Sequence, residues 1–220
     1  MSLDHHPNDE LLLDYASGAM GEGWSLAIAT HLALCPNCRQ AVRGMEAIGA
    51  SLMEGLFPAK ISAESSKAVL SLLLENAGSM DDLSPQKETY GLSPVLPDPL
   101  RCYAGGDVNV LQWKRLGLGA YQCLITTNDE DISVRLLRIP AGKPVPTHTH
   151  GGLELTLVLQ GAFSDATGCY GRGDLQEADE TLEHQPHADA GEDCICLAVT
   201  DAPLRFNSLA ARLVQPFISI

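Results

Sequence analysis

The sequence predicts an α + all-β protein, a small helical bundle followed by a β-barrel or sandwich. Three observations carry this. Apolar residues recur at helical spacing up to about residue 76. A stretch from about Ala77 to Pro99 is then filled with Gly, Ser, Asp and the prolines Pro85, Pro94, Pro97 and Pro99, the composition of a linker. Beyond it the apolar period shortens toward two, in short runs separated by Gly, Pro, Asn and Asp.

Asn8 can cap a first helix, with Asp9 and Glu10 in its opening turn, where acids favour the helix dipole, and Leu11, Leu12, Tyr15 and Ala19 as its apolar stripe. Gly21-Glu22-Gly23 breaks it. A second helix is expected from about Trp24 to Cys35, and Pro36 suits the first turn of a third that ends near Leu56. Gly55 and Pro58 punctuate, and Ser62 to Leu74 reads as a fourth helix with Val69, Leu70, Leu73 and Leu74 on one face. After the linker, VLQWK, AYQCLI, ISVRLLRI, LELTLVLQ and CICLAV read as strands. Many short strands without helices imply a closed or double-layered β domain. The expected division is a helical domain over 1–80, a linker over 81–99 and a β domain over 100–220.

The net charge of −14, from 28 acidic against 14 basic side chains, argues against direct binding of DNA, because phosphate contacts need clustered Lys and Arg. A basic protein or a cation is the better partner. No apolar run approaches the roughly 20 residues that cross a bilayer, and MSLDHHPNDE lacks a signal peptide's basic and apolar regions, so a cytoplasmic location is expected. Seven cysteines at irregular spacing then speak for metal or redox roles before disulfides.

His31-x3-Cys35 sets an imidazole and a thiol on one helix face, and Cys35-Pro36-Asn37-Cys38 folds a second thiol back across a helix boundary. Tetrahedral zinc needs a fourth donor, which His5 or His6 can supply if the first helix packs antiparallel to the second. A closed His2Cys2 shell keeps no open position, so its role is structural. This HxxxCxxC pattern with an upstream histidine resembles the zinc-binding anti-sigma domain. That resemblance implies a zinc-stabilised bundle that wraps an extracytoplasmic-function sigma factor, with His6, His31, Cys35 and Cys38 as ligands.

Gly142-x5-His148-x-His150-x3-Glu154-x6-Gly161 fits the first cupin motif at every position, and so resembles a cupin jelly-roll barrel. Residues two apart on a strand point the same way, and the Gly151-Gly152 turn can bring Glu154 to the same pocket. A later hairpin normally adds a histidine. His184, which ends the strand-like TLEH, is preferred to His187, which follows Pro186. The set His148, His150, Glu154, His184 suits Zn, Fe, Mn or Ni. Cys194 and Cys196, two apart on one strand, can present two thiols to the barrel interior near the metal, but read first as small core residues, and no role is assigned to Cys102, Cys123 or Cys169. Met45, Met53 and Leu70 to Leu74 read as core or as a sigma-facing surface.

Taken together, a zinc anti-sigma domain followed by a cupin resembles the ChrR-type anti-sigma factors over the whole chain, including LELTLVLQGAF and TDAPLRFN. The resemblance implies a regulator, not an enzyme, that frees its sigma factor under singlet-oxygen-type stress sensed through the cupin. The rival expectation is an Fe(II) dioxygenase using the same cupin ligands. Pairing of barrel edges keeps a homodimer in view.

Overall fold

The computed structural model describes residues 3–77, 93–117 and 119–206. Five helices come first: α1 (Asp9–Ser17), α2 (Glu22–Leu34), α3 (Pro36–Glu54), α4 (Ala63–Ala77) and α5 (Asp98–Ala104). The strands follow as β1 (Lys114–Gly117), β2 (Ala120–Ile125), β3 (Ser133–Ile139), β4 (His148–Thr149), β5 (Glu154–Gln160), β6 (Ala162–Asp165), β7 (Gly168–Gly171), β8 (Leu175–Ala178), β9 (Glu183–His184), β10 (His187–Ala188), β11 (Cys194–Thr200) and β12 (Arg205–Phe206). The chain packs as two units, Met1–Ile48 with Pro94–Ile220, and Gly49–Ser93.

In the first unit a six-stranded antiparallel sheet, ordered β1-β2-β3-β11-β5-β8, forms one wall, and the small sheets β10-β6-β7 and β12-β4-β9 form the rest. The cupin jelly-roll architecture expected from the sequence is therefore present. The central strand β11 does not alternate apolar with polar, because both its faces are covered. Ile195, Leu197 and Val199 of β11 join Leu155, Leu157 and Leu159 of β5 and Val134 and Leu136 of β3 in a core shared with Leu26, Ala27, Ile28 and Leu32 of α2. The opposite face carries Val158 and Cys194 with Phe163 and Tyr170.

Asn8 caps α1 as its side chain accepts from the Leu11 N–H at 2.9 Å, and Gly18 ends the helix in the left-handed region. Helix α2 begins at Glu22, two residues before the sequence expectation, and takes Gly23 into its first turn. The reason is tertiary. Asp129, in the β2–β3 loop, accepts from the Gly23 N–H at 2.7 Å, and Glu22 accepts from the Asn128 N–H and the Tyr103 hydroxyl. These contacts satisfy a helix N-terminus that has no side-chain cap of its own. Helix α5 was not expected, since its Asp-Pro start reads as linker. Pro99 sits in its first turn, where proline is tolerated, and Leu100 is fully buried. The expected VLQWK strand starts only at Lys114. Most of the expected linker lies outside the described residues.

The second unit holds the end of α3 and all of α4. Ile48 precedes it on α3, and from there to Leu74 large apolar side chains stand in solvent, among them Leu52, Met53, Phe57, Leu70 and Leu73.

An added Cβ on Gly23 would lie 2.8 Å from Ile132 Cγ2 and 2.9 Å from Val134 Cγ2. Gly23→Ala should therefore lift α2 from the sheet and destabilise the chain by about 1–3 kcal/mol, read as a lower urea midpoint with an unchanged slope.

Candidate metal centres

The first centre forms where α2 ends and α3 begins. Cys35 is the C-cap of α2 and Cys38 lies in the first turn of α3, so the chain reverses around the two thiols. His31, Cys35 and Cys38 are buried, whereas His6 approaches from the exposed N-terminal segment. Their donor atoms all lie within 4.8 Å of one another. His6 Nδ1 is 3.4 Å from Cys35 Sγ and 3.3 Å from Cys38 Sγ, and His31 Nε2 is 3.4 Å from Cys38 Sγ. Two donors on one tetrahedral zinc, with Zn–S and Zn–N of ordinary length, stand about 3.5 Å apart. The four side chains fit the ion. His5, the competing residue, turns away and lies over Tyr170 with ring centroids 4.2 Å apart.

Burial holds the His31 imidazolium down to about 4 and pushes the Cys38 thiol up to about 12, the latter helped by its hydrogen bond with Cys35. His31 Nδ1–H donates to the Gly173 carbonyl at 2.9 Å, which leaves the Nε2 lone pair facing the thiols. The Cys38 thiol therefore keeps its proton in the metal-free chain, and a bound cation would displace it.

The second centre lies inside the barrel. β4 carries His148, His150 follows it, and β9 pairs His184 directly opposite His148. His184 Nε2 is 3.1 Å from both His148 Nε2 and His150 Nε2. His148 Nδ1–H donates to the Pro146 carbonyl at 2.7 Å and His184 Nδ1–H to Asp165 Oδ2 at 2.7 Å. Two Nε2 lone pairs thus face each other in a buried site, a repulsion that a shared cation would relieve. Three imidazoles on one ion would place their nitrogens about 3.0–3.4 Å apart. Burial first, and the neighbouring imidazoles next, hold His148 and His150 down at about 4. His187 is exposed and takes no part.

Glu154 stands beside this group, not within it. Its Oε2 lies 3.7 Å from His150 Nδ1, a buried nitrogen with no hydrogen-bond partner, and its Oε1 accepts from Thr156 Oγ1 at 3.0 Å. The carboxylate therefore faces the ring nitrogen of His150 opposite the one that joins the cluster. Burial raises Glu154 to about 7. Gly161, the last motif glycine, has φ +66° and an added Cβ would sit 2.7 Å from the Asp193 carbonyl, so the hairpin after β5 admits no side chain there.

Asp165 was invisible in the sequence. Although burial works against it, hydrogen bonds from Thr167, Gln176 and His184 outweigh that and hold its carboxyl at about 2. The ionised group fixes the His184 tautomer. Nothing in SDATG marks it, because its partner lies 19 residues away on β9. Cys194 and Cys196 are buried, and the Cys194 hydrogen bond together with burial pushes the Cys196 thiol well above its ordinary value.

The architecture and the two donor clusters define a cupin protein with a helical module that carries its own thiol–imidazole cluster. A sequence model of the ChrR cupin-like domain matches residues 104–203. The chain is 46% identical, over 100% of both sequences, to the anti-sigma-E factor ChrR of Cereibacter sphaeroides. It is also similar to a solved structure, that of Rhodobacter sphaeroides SigE in complex with the anti-sigma ChrR, at 43% identity and a TM-score of 0.78, covering 91% of this chain and 100% of the other. The chain belongs to the ChrR family of anti-sigma factors.

Asp165→Ala should lower the barrel's metal affinity about 10–100-fold without unfolding it, measured by chelator competition and metal analysis. A pH series on metal-free protein separates the buried groups. His148 and His150, lowered from 6.5 to about 4, withdraw stability as pH falls through that window. Glu154, raised from 4.5 to about 7, gains stability as pH falls from about 7 to 4.5. Glu154→Gln removes the second contribution, so its unfolding free energy should drop more steeply than the wild type's between pH 7 and 5.

Proposed function

We propose that this protein is a cytoplasmic anti-sigma factor. It binds an extracytoplasmic-function sigma factor through its helical region, keeps it from core RNA polymerase, and releases it when singlet-oxygen-type stress acts on the cupin. The observation that carries this reading is the 46% identity over full length to an anti-sigma factor. The apolar surface that runs from the end of α3 into α4 supports it. Phe57 is 100% exposed and Leu52, Met53 and Leu56 are each at least 70% exposed, far more than a chain without a partner leaves in water. The acidic balance of the chain suits a partner with basic, nucleic-acid-reading faces.

In this reading residues 1–80 are the inhibitory module and 100–220 the sensor. His6, His31, Cys35 and Cys38 hold zinc, which would cross-link a segment too small to be rigid alone. His148, His150 and His184, with Glu154 at their edge, hold a divalent metal of the Zn, Fe, Mn or Ni group. No helix among the described residues is long and apolar enough to cross a membrane.

Coexpression with candidate sigma factors tests this. The wild-type chain should copurify with one of them and with zinc. Leu70→Asp combined with Leu73→Asp should weaken the complex at least 100-fold by titration while leaving zinc content and barrel stability unchanged, since both side chains stand in solvent. Failure of every sigma factor to copurify would reject the assignment.

A further inference from the structure

His6 is the one exposed donor of the helical centre, so burial does not hold it in place. What holds it is the barrel. On one side of His6, Asp174 Oδ1 accepts the backbone N–H groups of Asp4 and His5 at 2.9 and 3.1 Å. The His5 carbonyl in turn accepts from the Leu175 N–H at 3.2 Å, which lays the segment along the first residue of β8. On the other side, Glu177 of β8 accepts both the Asn8 backbone N–H and the Asn8 side-chain amide at 2.8 Å. Pro7, between His6 and Asn8, is buried.

The turn that carries Asp174 is itself built for this contact. Asp174 Oδ2 accepts from the Gly171 N–H at 2.9 Å and closes the turn. Gly173 has φ +96°, and an added Cβ would lie 2.7 Å from Leu3 Cδ2, so the N-terminal segment seats where no side chain fits. The Gly173 carbonyl also takes the Nδ1–H of His31. One barrel turn and the strand after it thus set two of the four donors, one through its ring proton and one through the backbone on either side.

We propose that Asp174 and Glu177 are positioning residues for the helical metal centre, and that metal occupancy there is thermodynamically linked to the order of the β8 edge of the barrel. The proposal rests on the metal reading of His6, His31, Cys35 and Cys38, and deepens it by naming the route between the two modules. Linkage is reciprocal. An ion that pins His6 holds the segment on β8, and any loosening of the 171–177 stretch weakens the ion. A disturbance within the cupin then reaches the sigma-binding module through direct hydrogen bonds.

The test uses the full-length chain and cobalt(II) as probe, because thiolate-to-cobalt absorption reports only the centre that contains Cys35 and Cys38. Asp174→Ala should weaken that signal's affinity about 10–100-fold in chelator competition. Because this variant also opens the turn, Glu177→Ala is measured beside it; Glu177 has no part in the turn, and a several-fold loss is expected. Hydrogen exchange supplies the readout that a merely structural role would not move. The Leu175 amide should lose protection when zinc is removed from the wild type, while Val199 in the centre of β11 keeps its own. Unchanged affinity in both variants with a Leu175 amide indifferent to zinc would overturn the proposal. A wild-type chain with no thiolate-to-cobalt signal would overturn the metal reading and the linkage with it, whereas failure of sigma binding alone would leave both standing.

Discussion

Helix α2 lies buried against the outer face of the six-stranded sheet, and the rest of the first unit is arranged around that contact. Ile28 and Ala27 are fully excluded from solvent between β5, β11 and the flanking helices. Burial of this kind, at roughly 25 cal/mol per Å² of apolar surface, is the dominant favourable term available to so short a helical segment. Its geometric consequence is larger than its energetic one. With Leu26, Ile28 and Leu32 against their neighbours, the helix rotation is set, and His31 is delivered to the Gly173 carbonyl and to the thiols at the helix end.

The two centres share one design despite different donor sets. In each, a carbonyl or carboxylate takes the Nδ1 proton of a histidine and turns its Nε2 lone pair inward: Gly173 for His31, Pro146 for His148, Asp165 for His184. Donor atoms held in this way need little reorganisation to meet an ion. They differ in closure. The helical cluster has four donors, which could complete a tetrahedral shell, while three imidazoles in the barrel would leave coordination positions free. A closed shell suits a structural staple, and an open one suits a site that responds to what reaches it.

Packing also divides the helical region in a way that bears on regulation. Helices α1 and α2 and the start of α3, with both thiols, belong to the same unit as the barrel, whereas the exposed apolar stretch from Gly49 onward forms its own. All four donors of the helical cluster therefore lie in the unit that contains the barrel.

Much of this was legible in the amino-acid order because it depends on local spacing. Asn8 as cap, His31 one turn before Cys35, and the two-residue spacing of His148 and His150 follow from helix and strand periodicity alone. So did the sheet core, from the apolar runs LVL in β5 and CICLAV in β11. Tertiary structure decided what no spacing encodes: that His6 and not His5 turns toward the thiols, that Glu154 stands behind His150, and that Asp165, Gly173 and Asp174 serve residues 19 to 170 positions away. The reason is physical. A helix or strand repeats its own geometry every few residues, so neighbours on one face can be read from the chain. Which carbonyl meets a given ring proton across two packed elements is set only when both are buried together.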